Sequence, residues 1–367
     1  MGLPDRGLSA RVIRILALVT EAFGGRGGIA QYNRDFLSAV TALGADITVI
    51  ARFASPQFEC PTGVRQLGAK STRTNFVIST LAVAIRKRPD IVFCGHVYMA
   101  PLGAIVARLF GAKLIVQMHG IDAWTLPSAL VRHAVETAEM ILCVSRFTRE
   151  RVLCWARVQS ERALVLPNTF SPQFSSGDIN QFREKWGIVG KTVILTVGRL
   201  DPRERYKGHE QVIKCIPSLV QAGWDITYVV TGDGADRRRL EDIARNAGVF
   251  ERVVFTGELS RTQLIEAYRA ADAFVMASTG EGFGIAYLEA MACGVPVVSL
   301  AAGGAPDALC DGVLGVLVHN LGELDEGIKN ALTSAKPNIA REVEAHFGVS
   351  VYRAQVGRIF HRLVSDS

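Results

Sequence analysis

Two carboxylates, Glu281 and Glu289, bracket a turn written Glu281-Gly282-Phe283-Gly284 that runs directly into the apolar stretch Ile285 to Ala292. Gly282 and Gly284 have no side chain to block close approach, so backbone N–H groups of Gly282, Phe283, Gly284 and Ile285 can meet an anion there. A helix opening at that point would aim the positive end of its dipole at the same anion. Glu281 precedes that helix and Glu289 lies within it, roughly 7–8 Å further along the axis. One carboxylate can therefore accept hydrogen bonds from hydroxyls on one side of a diphosphate, and the other from hydroxyls on its far side. That is the layout of a nucleotide-sugar, with the hexose toward Glu281 and the ribose toward Glu289.

A diphosphate leaving group also needs cations. In VGRLDPRERYKG, Arg199 directly follows an apolar strand pattern and Lys207 precedes the next helix pattern, which puts both at the carboxyl end of a sheet. Two fixed cations there stabilise departing phosphate charge. Arg203 and Arg205 between them read as a solvated basic loop. In TGDGADRRRLE, Asp233 either touches a ligand at a strand end or caps the helix that follows.

The elements that must position these groups alternate from end to end. Strands are expected near 12–20, 46–52, 90–95, 113–119, 140–144 and 163–167, with helices near 29–43, 74–88, 98–110, 127–138 and 146–156. Residues 169–190 break the rhythm and read as a linker. A second series follows, with strands near 192–198, 226–231, 253–256, 273–277, 295–300 and 314–318 and helices near 208–222, 236–247, 260–271 and 284–293. Such alternation predicts an α/β protein built on parallel sheets, whose ligands bind beyond the carboxyl ends of the strands. The expected domains are 1–170 and 171–349, two doubly wound Rossmann-like units facing a cleft.

The stretch EGFG…LEAMACGVPVV resembles the E-x7-E signature of family 4 retaining glycosyltransferases. The resemblance covers most of the second domain and two loops of the first. It implies the GT-B architecture, with a first domain that binds acceptor, a second that binds donor, and a last helix in 350–367 packing back on the first domain. It implies that Arg199 and Lys207 neutralise the donor phosphates and that Gly27 and Gly28, in GGRGGIAQYNRDF, form a loop beneath them. His119, in MHGIDAW, then reaches the donor sugar and the reacting centre. Leu259, in FTGEL, places its main chain against the base. Asp122 is an acceptor-side candidate or caps the next helix; His96, in FCGHVYM, lines the acceptor side or serves as a core or capping residue. Retention, by front-side attack with the departing phosphate taking the acceptor's proton, is likewise implied, with Glu281 and His119 at the reacting centre. RERYKGHE is similar to exopolysaccharide mannosyltransferases, which points to GDP-mannose as donor and to a polysaccharide or glycolipid precursor as acceptor. A UDP-sugar donor, a GT-B-fold sugar-nucleotide epimerase and a non-catalytic sugar-nucleotide sensor are the alternatives.

A nicotinamide dehydrogenase is a further one, because Gly25, Gly27 and Ala30 fit GxGxxA after a strand. Against it, the loop is too long for a tight turn and the second strand ends in Arg52, where an acid is expected. No DxD occurs to hold a divalent cation, and no metal or other cofactor is expected. Seven scattered cysteines without CxxC spacing read as buried thiols of a reducing cytoplasm.

The 367 residues, 49% hydrophobic and 21% charged, suit a soluble two-domain enzyme, and no apolar run reaches the ~20 residues of a membrane span. The apolar stretch near the N-terminus is interrupted by Arg14 and reads as a first strand, not a signal peptide. Charge is uneven: residues 1–168 hold 20 Lys and Arg against 11 Asp and Glu, residues 169–367 hold 21 against 24. A basic first half fits a peripheral position on the anionic inner face of the cell membrane. The segment SRFTRERVLCWARVQSER, with Arg149 and Arg157 beside Phe147, Leu153 and Trp155, is either a membrane-facing amphipathic helix or a surface helix with a core face. Nucleic acid is a poorer explanation of that charge, because no recognition motif accompanies it.

Overall fold

The computed structural model describes residues 12–53, 59–70, 72–334 and 337–365. The chain folds as two compact units. One comprises Met1–Cys143, Val152–Leu164 and Arg353–Ser367, the other Val144–Arg151 and Val165–Tyr352.

The first unit runs β1 (Arg14–Val19), α1 (Gly28–Thr41), β2 (Asp46–Ala51), β3 (Val64–Leu67), α2 (Arg73–Lys87), β4 (Ile91–Cys94), α3 (Ala100–Phe110), β5 (Lys113–Met118), α4 (Ala129–Thr137), β6 (Met140–Cys143), α5 (Arg146–Trp155), whose residues through Arg151 belong to the second unit, and β7 (Ala163–Val165). The strands form one sheet in the order β3-β2-β1-β4-β5-β6-β7. Strands β1 to β6 pair in parallel, with Ile15 opposite both Ile47 and Ile91. Parallel strands covered on both faces read as unbroken apolar runs; β4, Ile-Val-Phe-Cys, is buried at every position.

The second unit runs α6 (Asn180–Lys185), β8 (Thr192–Val197), α7 (His209–Gln221), β9 (Ile226–Thr231), α8 (Arg237–Asn246), β10 (Val253–Gly257), α9 (Arg261–Ala270), β11 (Ala273–Met276), α10 (Ile285–Ala292), β12 (Val297–Leu300), α11 (Ala305–Ala308), β13 (Val316–Val318), α12 (Leu324–Thr333), α13 (Ile339–Phe347) and α14 (Val349–Ser365). Its parallel sheet has the order β10-β9-β8-β11-β12-β13.

In each sheet the chain works outward from its first strand in one direction and then in the other. The order reverses between β1 and β4, and again between β8 and β11. Loops leaving adjacent strands on opposite sides of such a point diverge and open a crevice at the carboxyl ends. The loops concerned are Thr20–Gly27 and Gly95–His96 in the first unit, Gly198–Lys207 and Ala277–Gly284 in the second.

Five features depart from the sequence pattern. Strand β3 (Val-Arg-Gln-Leu) escapes it because only Val64 is buried on this edge of the sheet. The stretch 169–190 is not a free linker. It contains α6, whose Phe182 is buried, and it is tied to the second unit where Arg183 donates to the Ala270 carbonyl (2.8 Å) and Arg269 to the Ser175 carbonyl (2.7 Å). Helices α11, α12 and α13 continue the second unit after β12. The unit boundary falls inside α14, whose later part belongs to the first unit, where Lys113 Nζ donates to the Leu363 carbonyl at 2.6 Å. Not all of the cysteines are buried thiols: Cys94, Cys143 and Cys293 are buried, but Cys154 is exposed.

Candidate functional site

In the second unit the turn Glu281–Gly284 connects β11 to α10 as the spacing predicts. Gly284 is the helix N-cap, in the left-handed region at φ 99°, and a Cβ there would meet the Tyr287 ring at 2.2 Å. Gly282 is pressed from behind: the Gly304 N–H donates to the Glu281 carbonyl (2.7 Å), and a Cβ on Gly304 would collide with the Gly282 carbonyl. Phe283 is buried, its ring edge-on to Phe347 at 5.6 Å. The turn is therefore held rigidly, with its backbone toward the strand ends.

Glu281 is half-buried, and burial pushes its carboxyl upward; Lys207 opposes this and Glu204 adds to it. Lys207 and Glu204 belong to a 3-10 segment, Pro202–Lys207, opened by Asp201, which accepts from the Arg203 N–H, and closed by Gly208 at φ 81°. The Thr279 N–H donates to the Tyr206 carbonyl at 2.9 Å, which locks this segment to the β11 loop. Burial and the two carboxylates Glu204 and Glu281 push the Tyr206 hydroxyl up to about 12.

Arg199 and Lys207 do converge, and what joins them is Glu204. Arg199 Nη2 meets one carboxylate oxygen and Lys207 Nζ the other, the latter at 3.0 Å. Arg203 is spent on Asp201 and Arg205 on Asp236, so neither shares that cluster. Asp233 follows β9 and is exposed. Its carboxylate accepts from the Gly234 N–H and does not cap α8, whose N-cap is Asp236. Asp236 is buried; burial raises its carboxyl, but hydrogen bonds from Arg239 and Arg205 outweigh this and hold it below the usual range. Leu259 is half-buried just past the end of β10, ahead of the Ser260 capping box of α9.

Glu289 lies one turn into α10, is buried, and accepts from the Tyr268 hydroxyl at 2.9 Å. The hydroxyl of a tyrosine on α9 thus fixes the orientation of this carboxylate.

In the first unit Gly27 caps α1 at φ 85°, with nothing within 4 Å of where a Cβ would sit, and Gly28 is the first helical residue. His119 follows β5. Its Nε2 lies 2.9 Å from the Gly95 carbonyl, so that nitrogen carries the proton and Nδ1 is the acceptor. The Tyr32 ring stands edge-on at 5.2 Å, and burial depresses the imidazole to about 4 against the weaker opposing pull of Asp122. His96 accepts from the Tyr98 N–H at 3.3 Å through Nδ1 and turns Nε2 to Asp122 at 3.8 Å. His96 thus caps the short 3-10 turn Val97–Met99, and Asp122, whose Oδ2 has no hydrogen-bond partner, does not cap α4, whose N-cap is Ser128.

These half-sites fit a diphosphate-bearing donor on one unit and a polar, neutral-imidazole pocket on the other, and comparison with known proteins says what they belong to. Residues 178–343 match the model for glycosyl transferases group 1, and residues 26–174 that for glycosyltransferase family 4. A GDP-mannose-dependent monoacylated alpha-(1-6)-phosphatidylinositol monomannoside mannosyltransferase of Corynebacterium glutamicum is 30% identical, the match covering 89% of this chain and 93% of that protein. This chain is a family 4 glycosyltransferase. The GDP-mannose-dependent alpha-(1-6)-phosphatidylinositol monomannoside mannosyltransferase of Mycolicibacterium smegmatis is 29% identical over 83% of this chain and 85% of its own length. The fold is shared with sucrose-phosphate synthase of Thermosynechococcus elongatus, at TM-score 0.81, 21% identity and coverage of 96% of this chain and 100% of that one. It is shared also with Anabaena HepE solved with UDP, at TM-score 0.78, 20% identity and coverage of 95% and 100%.

Membership in this glycosyltransferase family disposes of the dehydrogenase, as does the loop between β1 and α1, which runs from Thr20 to Gly27. Four residues of the glycosyltransferase half-sites escaped sequence reasoning: Glu204, His209, Asp236 and Tyr268. His209 is buried against the Tyr228 hydroxyl (3.3 Å), which in turn donates to Thr196. Alternation of charge in Asp-Pro-Arg-Glu-Arg-Tyr-Lys was the available signal for Glu204; nothing local marks the others.

Helix α5 is not a free amphipathic face. Leu153 and Trp155 pack against the core, Trp155 donates to the Ala123 carbonyl (2.8 Å), and Arg146 pairs with Asp307 and Asp311. Exposed apolar side chains of the first unit include Ile78 and Ile85 on α2, Ile105 and Leu109 on α3 and Leu130 on α4. A groove of about 1200 Å³ between α3 and α4, lined by Ile105, Arg108, Lys113, Leu130 and His133, lies at the amino end of β5, the opposite end of the sheet from His96 and His119.

Proposed function

We propose that this glycosyltransferase moves mannose from GDP-mannose to a glycolipid acceptor at the inner face of the cell membrane, with retention and without a metal ion. The observation that carries the donor half is the convergence of Arg199, Lys207 and Glu281 on the β8–β11 switch point beside the α10 N-terminus. GDP-mannose and the glycolipid come from the activities named for the actinobacterial relatives.

Arg199, Lys207 and the backbone N–H groups of Gly282 to Ile285 hold the diphosphate, supplying the charge that a divalent cation supplies elsewhere. Glu281 accepts from hexose hydroxyls, and Glu289, oriented by Tyr268, accepts from the ribose. Leu259 lends its main chain to the base, and Asp233 closes the edge of the site. On the first unit Gly27 and Gly28 leave room for phosphate, and His119 offers Nδ1 to a sugar hydroxyl. Asp122, whose Oδ2 faces His96 Nε2 at 3.8 Å, belongs to the acceptor side. As the bond from the anomeric carbon to the phosphate oxygen breaks, the acceptor hydroxyl attacks from the same face, and its proton passes to the departing phosphate.

The test is ligand-induced stabilisation. GDP at a hundredfold excess over its Kd should stabilise the fold by about 2.7 kcal/mol and should raise the melting temperature more than UDP at equal concentration. Chelator should leave transfer from GDP-mannose intact. A larger shift with UDP would replace the donor, and strict dependence on Mg²⁺ or Mn²⁺ would replace the metal-free step.

The membrane reading rests on the outer faces of α2 and α3, where Ile85 (66% exposed) and Leu109 (65%) sit among exposed Arg73, Arg86 and Arg108. Among the described residues no helix is long and apolar enough to cross a membrane. Sedimentation with liposomes should rise with their anionic fraction and fall with salt. Replacing Ile85 and Leu109 together by Glu should abolish it; unchanged partitioning of that variant would clear these helices.

A further inference from the structure

Glu204 is a carboxylate placed where the donor's phosphate is expected. Each of its oxygens takes one of the two cations, Arg199 on Oε1 and Lys207 on Oε2, as two non-bridging phosphate oxygens would. We propose that Glu204 is an internal competitor for the diphosphate: its carboxylate neutralises Arg199 and Lys207 in the donor-free enzyme, donor enters by exchange, and the returning carboxylate expels the nucleoside diphosphate after transfer. The proposal rests on the reading that Arg199 and Lys207 bind the diphosphate.

Charge makes exchange necessary. Arg199, Lys207, Glu204 and Glu281 form a neutral set, and Glu204 acts on Glu281 as a like charge. A diphosphate added to that set without displacing Glu204 would leave three anionic groups on two cations in a partly enclosed place, which is unfavourable at short range.

Geometry makes exchange possible. The Lys207 contact at 3.0 Å is an ion pair without hydrogen-bond alignment, and Glu204 Oε2 is buried with no hydrogen-bond donor. A phosphate oxygen free to align makes the better contact. The Arg199 side chain is 77% exposed, so its half of the grip is a surface ion pair, the kind that contributes little. Glu204 itself sits at a kink in the 3-10 segment (φ −110°, ψ 20°), so turning it out breaks no regular helix. It borders a small polar recess that it shares with Arg205, Asp236 and Arg239, where both arginines are already paired with Asp236.

The experiment compares GDP, inorganic pyrophosphate and guanosine as ligands of the full-length wild type and Glu204→Gln, by calorimetry and by inhibition of transfer. Release of both cations should tighten GDP and pyrophosphate about tenfold, leave guanosine within twofold, and lower the product-inhibition constant of GDP in parallel. Glu204→Asp, whose shorter arm cannot span both cations, should fall between and serves if the Gln variant does not fold. A carboxylate that merely orients the cations gives the opposite sign: GDP and pyrophosphate would bind Glu204→Gln more weakly. That result, or no change, overturns the proposal. Arg199→Ala and Lys207→Ala run alongside. If neither weakens GDP, the diphosphate reading has failed; if both do while Glu204→Gln fails to tighten, only the competitor role has failed.

Discussion

Glu281→Gln is expected to lower turnover with GDP-mannose about a hundredfold, the scale of losing a group that orients the reacting sugar, while leaving affinity for bare GDP within about twofold. Glu281 precedes α10 at the end of the turn that feels the charges of Lys207 and Glu204, and in the proposed arrangement it meets the sugar side of the donor. In the same arrangement Glu289, one turn inside the helix, serves the ribose. Its replacement should weaken GDP and GDP-mannose alike, by about 1.5–3 kcal/mol for a lost hydrogen bond to a charged group. The Tyr268 contact decides which substitution is informative. Glu289→Ala would strand a buried tyrosine hydroxyl and confound binding with folding, whereas Glu289→Gln keeps an acceptor for it. Tyr268→Phe should reproduce part of the same loss by removing one hydrogen bond that orients the carboxylate. Calorimetry with both ligands separates the roles. Equal weakening of GDP and GDP-mannose by Glu281→Gln, or no effect of Glu289→Gln, would mean that the two carboxylates have been given the wrong ends of the donor.

His119→Ala is expected to reduce kcat/KM by about two orders of magnitude, comparable to removing one preorganised polar contact to a transition state. The group at work is a neutral imidazole. Its Nε2–H is committed to the Gly95 carbonyl, Tyr32 covers it edge-on, and burial holds its pKa at about 4, so it offers a lone pair on Nδ1 across the physiological range. The Cε1 proton resonance of His119, assigned by its disappearance in the alanine variant, should titrate near pH 4. A midpoint near the ordinary 6.5 would mean a cationic ring below neutrality and would remove the neutral-acceptor role. The same depression has a sign for stability. The unfolded chain binds this proton from about pH 6.5 downward and the folded chain only near 4. Acidification across that window therefore destabilises the fold, by up to about 1.4 kcal/mol per pH unit for each such ring. Buried His209, also held at about 4, adds to the slope.

The sequence by itself determined the elements that burial makes repetitive and the turns that chemistry makes conspicuous. Apolar runs such as Ile-Val-Phe-Cys and Ala-Phe-Val-Met announce parallel strands because both faces are covered, and Gly-Phe-Gly between two glutamates announces the anion turn because glycines are needed there. Length and two such series were enough for two Rossmann-like units. Edge strand β3 and the binding of 169–190 to the second unit were hidden, since one buried valine leaves no period and arginine contacts to distant carbonyls leave no local trace.

Tertiary structure alone decided how the charges are partnered. Arg199 and Lys207 could be picked out as strand-end cations, but that Glu204 spans them depends on a 3-10 kink and on the Thr279–Tyr206 hydrogen bond, which brings together residues far apart in the chain. Tyr268 on Glu289, Asp122 on His96 and Gly95 on His119 are likewise pairings between loops or helices that only the sheet order makes neighbours. Side-chain type is written locally; the field each charge feels is a sum over neighbours that folding supplies.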